Sequence, residues 1–150
     1  MEDYAAMPNP TTDGAAAPTR PVREGLFAEA TAGHPAHLLG IRCGRCGKPH
    51  FPRQPTCPYC GSDEVDDIDL SSRGRLWAWT AVTAAPPGYR GLVPFGFGVV
   101  DLPEGVRVIT RLTESDPSRL ALGDAMELVI APLHDDDGTT VVTYAFAATP

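Results

Sequence analysis

Four cysteines stand in two tight pairs, Cys43-Gly-Arg-Cys46-Gly47 and Cys57-Pro-Tyr-Cys60-Gly61, ten residues apart, and the chain has no other cysteine. A two-residue gap lets both thiolates of one turn face a common centre, and the glycine that follows lets backbone amides turn toward the sulfurs. That is a zinc knuckle. Two knuckles on a short ribbon fill a tetrahedron and leave no position for water, so Cys43, Cys46, Cys57 and Cys60 are expected to hold a structural zinc rather than run a reaction. Iron would accept the same four thiolates, but the ten-residue loop is shorter than that of rubredoxin. Disulfides are the other competitor. The amino terminus is polar and lacks the apolar core of a signal peptide, so reduced thiols and a cytoplasmic location are expected. With four sulfurs filling the shell, His50 reads as a surface or loop-packing residue.

A ribbon of about twenty residues buries too little apolar surface to fold alone, whereas structural zinc supplies roughly 10–16 kcal/mol in zinc-finger peptides. The 150 residues are enough for such a module beside one compact barrel, but not for two full-sized cores. No stretch approaches the roughly 20 apolar residues that cross a bilayer, and no membrane partner is expected.

The net charge is −7, unevenly distributed. Arg42, Arg45, Lys48 and Arg53 give residues 42–60 four positive charges and no acid; subtracting two for a zinc tetrathiolate leaves about +2. From Gly61 onward six arginines face fourteen acids. Extended nucleic acid, whose affinity depends on many Lys or Arg contacts to phosphate, would be repelled by most of this surface. A small anion at the ribbon would not.

The elements that must position these residues follow from pattern. Residues 1–19, rich in Ala and Pro without a hydrophobic period, read as a disordered leader. Pro21 suits the first turn of a short helix within 20–37, with Leu26, Phe27 and Ala30 on one face and Gly33 ending it. Such a helix must dock on the ribbon or on another protein. The ribbon is expected over 38–68, opening with the strand Leu38–Arg42, and an acidic connector over 63–70 follows the second knuckle. In 69–150, alternation predicts five strands: Arg73–Ala84, Pro94–Asp101, Val106–Leu112, Ala125–Ala131 and Thr139–Ala147. Turns fall at 102–105 and 135–138, and one helical turn fits in 116–123. Five strands with a break between the third and fourth suit a Greek-key OB-fold barrel that bends at Gly96 and Gly98, although a sandwich has the same alternation. The predicted class is mainly β: an N-terminal helix, a rubredoxin-like zinc ribbon and a five-stranded OB-fold barrel.

These residues resemble a known family, the acyl-CoA-associated OB-fold proteins with a rubredoxin-like zinc ribbon, catalogued as domain of unknown function 35. The likeness runs from about Leu26 to the end. It rests on both knuckles with Phe51-Pro-Arg53, on Gly74-Arg-Leu-Trp-Ala-Trp-Thr80, on Val93-Pro-Phe-Gly-Phe-Gly-Val-Val-Asp-Leu102, on Glu104 to Leu112 and on Leu122-Gly-Asp124 to Leu128. The resemblance implies a partner of a thiolase-superfamily enzyme, such as a sterol-carrier-type thiolase or aldolase, that helps to hold an acyl-CoA while the larger subunit does the chemistry. The chain agrees by what it lacks. Zinc takes every thiol, and His34, His37, His50 and His134 form no recognisable triad, so no catalytic residue is expected. Candidate ligand contacts are Arg42, Arg45, Lys48 and Arg53 of the ribbon for phosphates, with Arg73, Arg75 and Arg90 bordering the same groove and Tyr89 and Trp77 to stack on adenine or line the pantetheine path. The alternative is that these arginines are solvated and that Trp77 or Trp79 is barrel core. The competing function, single-stranded nucleic-acid binding, is disfavoured by the acidic barrel.

Overall fold

A computed structural model describes residues 17–150. The chain runs β1 (Thr19–Pro21), β2 (Phe27–Ala28), β3 (His37–Cys43), β4 (Pro49–His50), β5 (Val65–Asp69), β6 (Arg73–Val82), β7 (Phe95–Asp101), β8 (Arg107–Leu112), β9 (Ala125–Asp136) and β10 (Thr139–Ala148). One 3-10 turn, Pro117–Arg119, lies between β8 and β9, where the Asp116 carboxylate caps it by accepting from the Ser118 amide.

Strands β6, β7 and β8 form an antiparallel meander. β8 pairs in parallel with β10, β10 pairs with β9 as a hairpin, and β9 returns to β6 through Arg73–Arg75 opposite Glu127–Ala125. The five strands therefore close on themselves, which is the OB barrel. Closure follows from the alternation that predicts the strands: every second side chain of β7 and β8 points inward, so Val100, Val108, Leu112, Met126, Leu128 and Phe146 fill the interior. The hairpin turns fall where turn residues sit. Gly105 has φ +92° and its amide donates to the Leu102 carbonyl, while Asp137 and Gly138 form a tight turn with φ of +50° and +83°.

Gly96 and Gly98 are both buried on β7 against Leu112 of β8. A methyl group on Gly96 would run into the Glu114 carbonyl and come within 2.9 Å of the Leu112 Cβ. Gly96→Ala should cost about 1–3 kcal/mol in urea unfolding, because two backbones must separate to admit it. A cost below about 0.5 kcal/mol would mean that the contact is slack.

The helix expected within 20–37 is not formed; among the described residues there is no α-helix. β1 instead adds in parallel to β10, with Thr19 opposite Thr140 and Pro21 opposite Val142, and the Val22 amide donates to the Val142 carbonyl. β2 pairs with β3, Phe27 opposite Leu38. Gly25 at φ +82° separates the two pieces. A two- to three-turn amphipathic window is a weak helix signal in isolation; here two open strand edges offer pairing to parts of the segment, three residues of β1 and two of β2, and tertiary pairing wins over propensity. Residues 1–16 of the expected leader lie outside the described residues, and Thr19 opens β1. The acidic connector also becomes structure: β5 pairs along the length of β3, Leu39 opposite Asp69 to Cys43 opposite Val65.

Ribbon and barrel share one core. Leu38 of β3, with no exposed surface, and Leu70 at the exit of β5 pack in the same cluster as Leu76, Val100 and Phe146. Phe51 of the ribbon meets Tyr144 of β10 edge to face at 5.4 Å. Glu104, in the β7–β8 turn, accepts from both the amide and the hydroxyl of Ser71 at 2.6 and 2.7 Å.

Candidate functional site

The metal ligands are brought together by two copies of one turn. β3 delivers Cys43 buried at the strand end, and the chain then folds back so that Gly47, at φ +77°, donates its amide to the Cys43 carbonyl at 2.9 Å. Gly61 repeats this with Cys57, again at φ +77° and 2.9 Å. Only glycine takes that backbone without strain. The amides aimed at sulfur come from within the knuckles: Arg45 and Cys46 donate to Cys43 Sγ at 3.3 Å, and Tyr59 to Cys57 Sγ at 3.4 Å. The glycines thus shape the turns, while the residues before them solvate the thiolates.

All four sulfurs lie within 4.8 Å of one another, with Cys43–Cys60 and Cys46–Cys57 each at 3.6 Å. A tetrahedron with Zn–S bonds of about 2.3 Å has edges of about 3.8 Å, so the cluster has the size of a zinc tetrathiolate. Its electrostatics ask for a cation. The Cys46 amide above all, with that of Arg45, holds the Cys43 thiol down to about 6. The Ser62 amide pulls Cys60 the same way, but burial and the neighbouring sulfurs outweigh it and push that thiol up to about 11. Four sulfurs this close ionise together only around a positive ion. The donor set and spacing fit zinc, which when bound here supplies a structural clamp with no vacant coordination position.

The ribbon cations do not converge on one groove with Tyr89 and Arg90. Arg42 donates to the Gly47 carbonyl at 2.9 Å and braces the first knuckle. Arg53 donates to the Gly40 carbonyl at 3.2 Å and pairs with Asp67 at 3.4 Å, tying β3 to β5. Lys48 stands over the Tyr59 ring at 5.0 Å, and Arg45 is exposed on its knuckle. Arg90 instead donates to the Asp135 carbonyl at 3.0 Å and pairs with Asp136 at 3.7 Å, across the β9–β10 turn. Tyr89 beside it donates to the Leu92 carbonyl at 2.8 Å. Arg73 pairs with Glu127 at 3.9 Å and Arg75 donates to the Gly123 carbonyl. Trp77 is half-exposed, whereas Trp79 packs against the core and donates to the Pro117 carbonyl at 3.0 Å.

Between ribbon and barrel lies an open cleft of about 850 Å³. His50, Phe51, Pro52 and Tyr59 form its ribbon wall; Asp101, Arg107, Ile109 and Tyr144 are on its barrel wall. Burial lowers the pKa of His50, which disfavours its charged form. Sequence reasoning missed Arg107, Ile109 and Tyr144. The first two are alternate residues of β8, a period that signals one outward face, but which face meets the ribbon depends on packing.

A closed cysteine clamp fastened to a five-stranded barrel defines a zinc-ribbon OB-fold protein. Residues 36–66 match the family described as ChsH2, rubredoxin-like zinc ribbon domain, and residues 67–131 match ChsH2, C-terminal OB-fold domain. The chain is 33% identical over 122 residues to the benzoylsuccinyl-CoA thiolase subunit BbsA of Thauera aromatica, covering 81% of this chain and 83% of that one. It is 26% identical over 87 residues to a DUF35 domain-containing scaffold protein of Methanothermobacter thermautotrophicus, and spans 65% of that protein's length and 58% of its own. A solved structure described as Ltp2-ChsH2(DUF35) aldolase superposes with a TM-score of 0.56 at 25% identity, over 73% of this chain and 84% of that one. The chain belongs to the DUF35 family, with the ChsH2-type zinc ribbon and OB-fold domains.

Proposed function

We propose that this protein is a non-catalytic assembly subunit of a thiolase-like enzyme, of the sterol-carrier-type thiolase or aldolase class, and that it helps to hold the acyl-CoA, from a steroid side chain or another degraded acid. The observation that carries this reading is the likeness to BbsA, a thiolase subunit by description, along four fifths of both chains. The chemistry of the chain supports it: all four thiols lie in the metal cluster, which leaves no cysteine to carry an acyl group. For the ligand, the cleft between ribbon and barrel offers Phe51, Tyr59 and Tyr144 to a pantetheine arm, and Lys48, over the Tyr59 ring, to a phosphate, while Arg107 in the same cleft is paired with Asp101 at 2.8 Å.

Tagged protein recovered from its own cells should carry a thiolase-fold chain, identified by mass spectrometry, and a CoA ester. The reading fails if the protein comes out alone and monomeric, or if the isolated chain turns over a thioester or a carbon–carbon bond by itself.

A further inference from the structure

The outer face of β6, β7 and β8, which continues from the barrel wall of the cleft at Arg107 and Ile109, presents apolar side chains that stay exposed among the described residues. Val99 lies opposite Ile109 in the β7–β8 ladder, and Phe97 lies opposite Thr80 on one side and Arg111 on the other. Trp77, at the irregularity between Leu76 and Ala78, adds its ring to this face beneath the Arg107 guanidinium, 4.0 Å away. Ile109 is 61% exposed, Trp77 46% and Phe97 39%. Single exposed hydrophobics are ordinary, but several in register on one sheet face mark a contact surface.

The charges on this face are unusual for the chain. Beyond residue 60, fourteen acids surround six arginines. Arg73, Arg90, Arg107 and Arg119 are each within 4.0 Å of a carboxylate. Arg111, two residues from Ile109, is not, among the described residues. Its guanidinium is instead held 4.4 Å over the Phe95 ring and donates to the Tyr89 hydroxyl at 2.9 Å. An arginine oriented by aromatics, short of a counter-ion in an acid-rich chain, is complementary to a carboxylate supplied from outside. Arg and Trp beside an apolar centre are also the side chains that dominate protein–protein binding energy. A nucleic acid would meet the acids around this face and find too few cations.

We propose that this face receives the larger thiolase-type subunit, through an apolar segment of that subunit carrying an acidic residue that meets Arg111. The proposal rests on the functional reading above and assigns the surface through which it is realised. The test uses the full-length tagged chain in its own cells and measures the thiolase-fold protein recovered with it, for wild type, Ile109→Asp, Arg111→Glu and Leu122→Asp. Leu122 is 70% exposed but lies before β9, outside the β6–β8 face. Zinc content and melting temperature establish that each variant is folded. If Ile109→Asp melts below wild type, Ile109→Thr, which keeps the branched shape, takes its place.

Recovery should fall at least ten-fold for the Ile109 variant and for Arg111→Glu, and stay at the wild-type level for Leu122→Asp. Equal recovery by all folded variants overturns the assignment of this face and leaves the functional reading intact. Loss by Leu122→Asp as well also overturns it, because the contact is then not confined to these strands. No thiolase-fold protein recovered by wild type overturns both.

Discussion

Removing the metal from this protein should abolish the ribbon's fold and lower the stability of the whole chain. Without the ion, β3, β4 and β5 are joined by few buried apolar groups; over residues 38–68 the side chains that reach near-complete burial are those of Leu38, Ile41, Cys43 and Cys57, and two of those are ligands. Structural zinc contributes roughly 10–16 kcal/mol of binding free energy in comparable small sites, more than those side chains supply. Because the clamp holds Leu38 and Leu70 against the barrel, its loss also uncovers part of the barrel's end. Chelation, or Cys57→Ser, should therefore lower the melting temperature by on the order of 10 °C or more, at about 2–4 °C per kcal/mol for a chain of this size. Circular dichroism melts with and without chelator, with zinc release confirmed by metal analysis, decide the matter. An unchanged melt after complete zinc release would show that the clamp carries no folding energy.

The metal centre was legible in the sequence because its geometry is local: each Cys-x-x-Cys-Gly turn contains its own hydrogen bonds, and only the meeting of the two turns needs the fold. Strands β7 and β8 were legible because one face of each is buried, which writes a period of two into them; β10, paired with β1, β8 and β9, is buried on both faces and reads instead as an apolar run. The segment over 19–28 was misread because a short apolar set suits a helix face or a strand pair equally well, and the arbiter, the open edge of β10, lies over a hundred residues away. The arginines were the least legible. Their number marked the ribbon as cationic, but whether each is spent internally depends on distant partners: Arg53 on Gly40 and Asp67, Arg90 on Asp135 and Asp136. Arg111 is illegible for the same reason, since whether a carboxylate faces it among the described residues depends on where every neighbour is placed.

The joint between the modules has a separate signature. Leu38 belongs to the ribbon by sequence, two residues into β3, yet it is fully buried in the barrel's cluster. Leu38→Ala should cost about 2–5 kcal/mol, the range for a buried leucine whose cavity cannot collapse, and rigid strands on both sides prevent collapse here. The backbone of β3 would be unaffected, since the Leu70 amide bonds to the Leu38 carbonyl at 3.0 Å whatever the side chain. Zinc affinity should therefore stay close to wild type while urea unfolding of the zinc-loaded protein shifts to lower concentration. Ile41 provides the control, because it is 2% exposed on the same strand but lies outside the shared cluster. Its truncation should weaken the ribbon and zinc retention more than the barrel. If Leu38→Ala costs less than about 1 kcal/mol, or if its effect is indistinguishable from that of Ile41→Ala, ribbon and barrel are packed side by side rather than around a common core. The ribbon would then be free to reorient, and the cleft between the modules would have no fixed shape with which to hold a ligand.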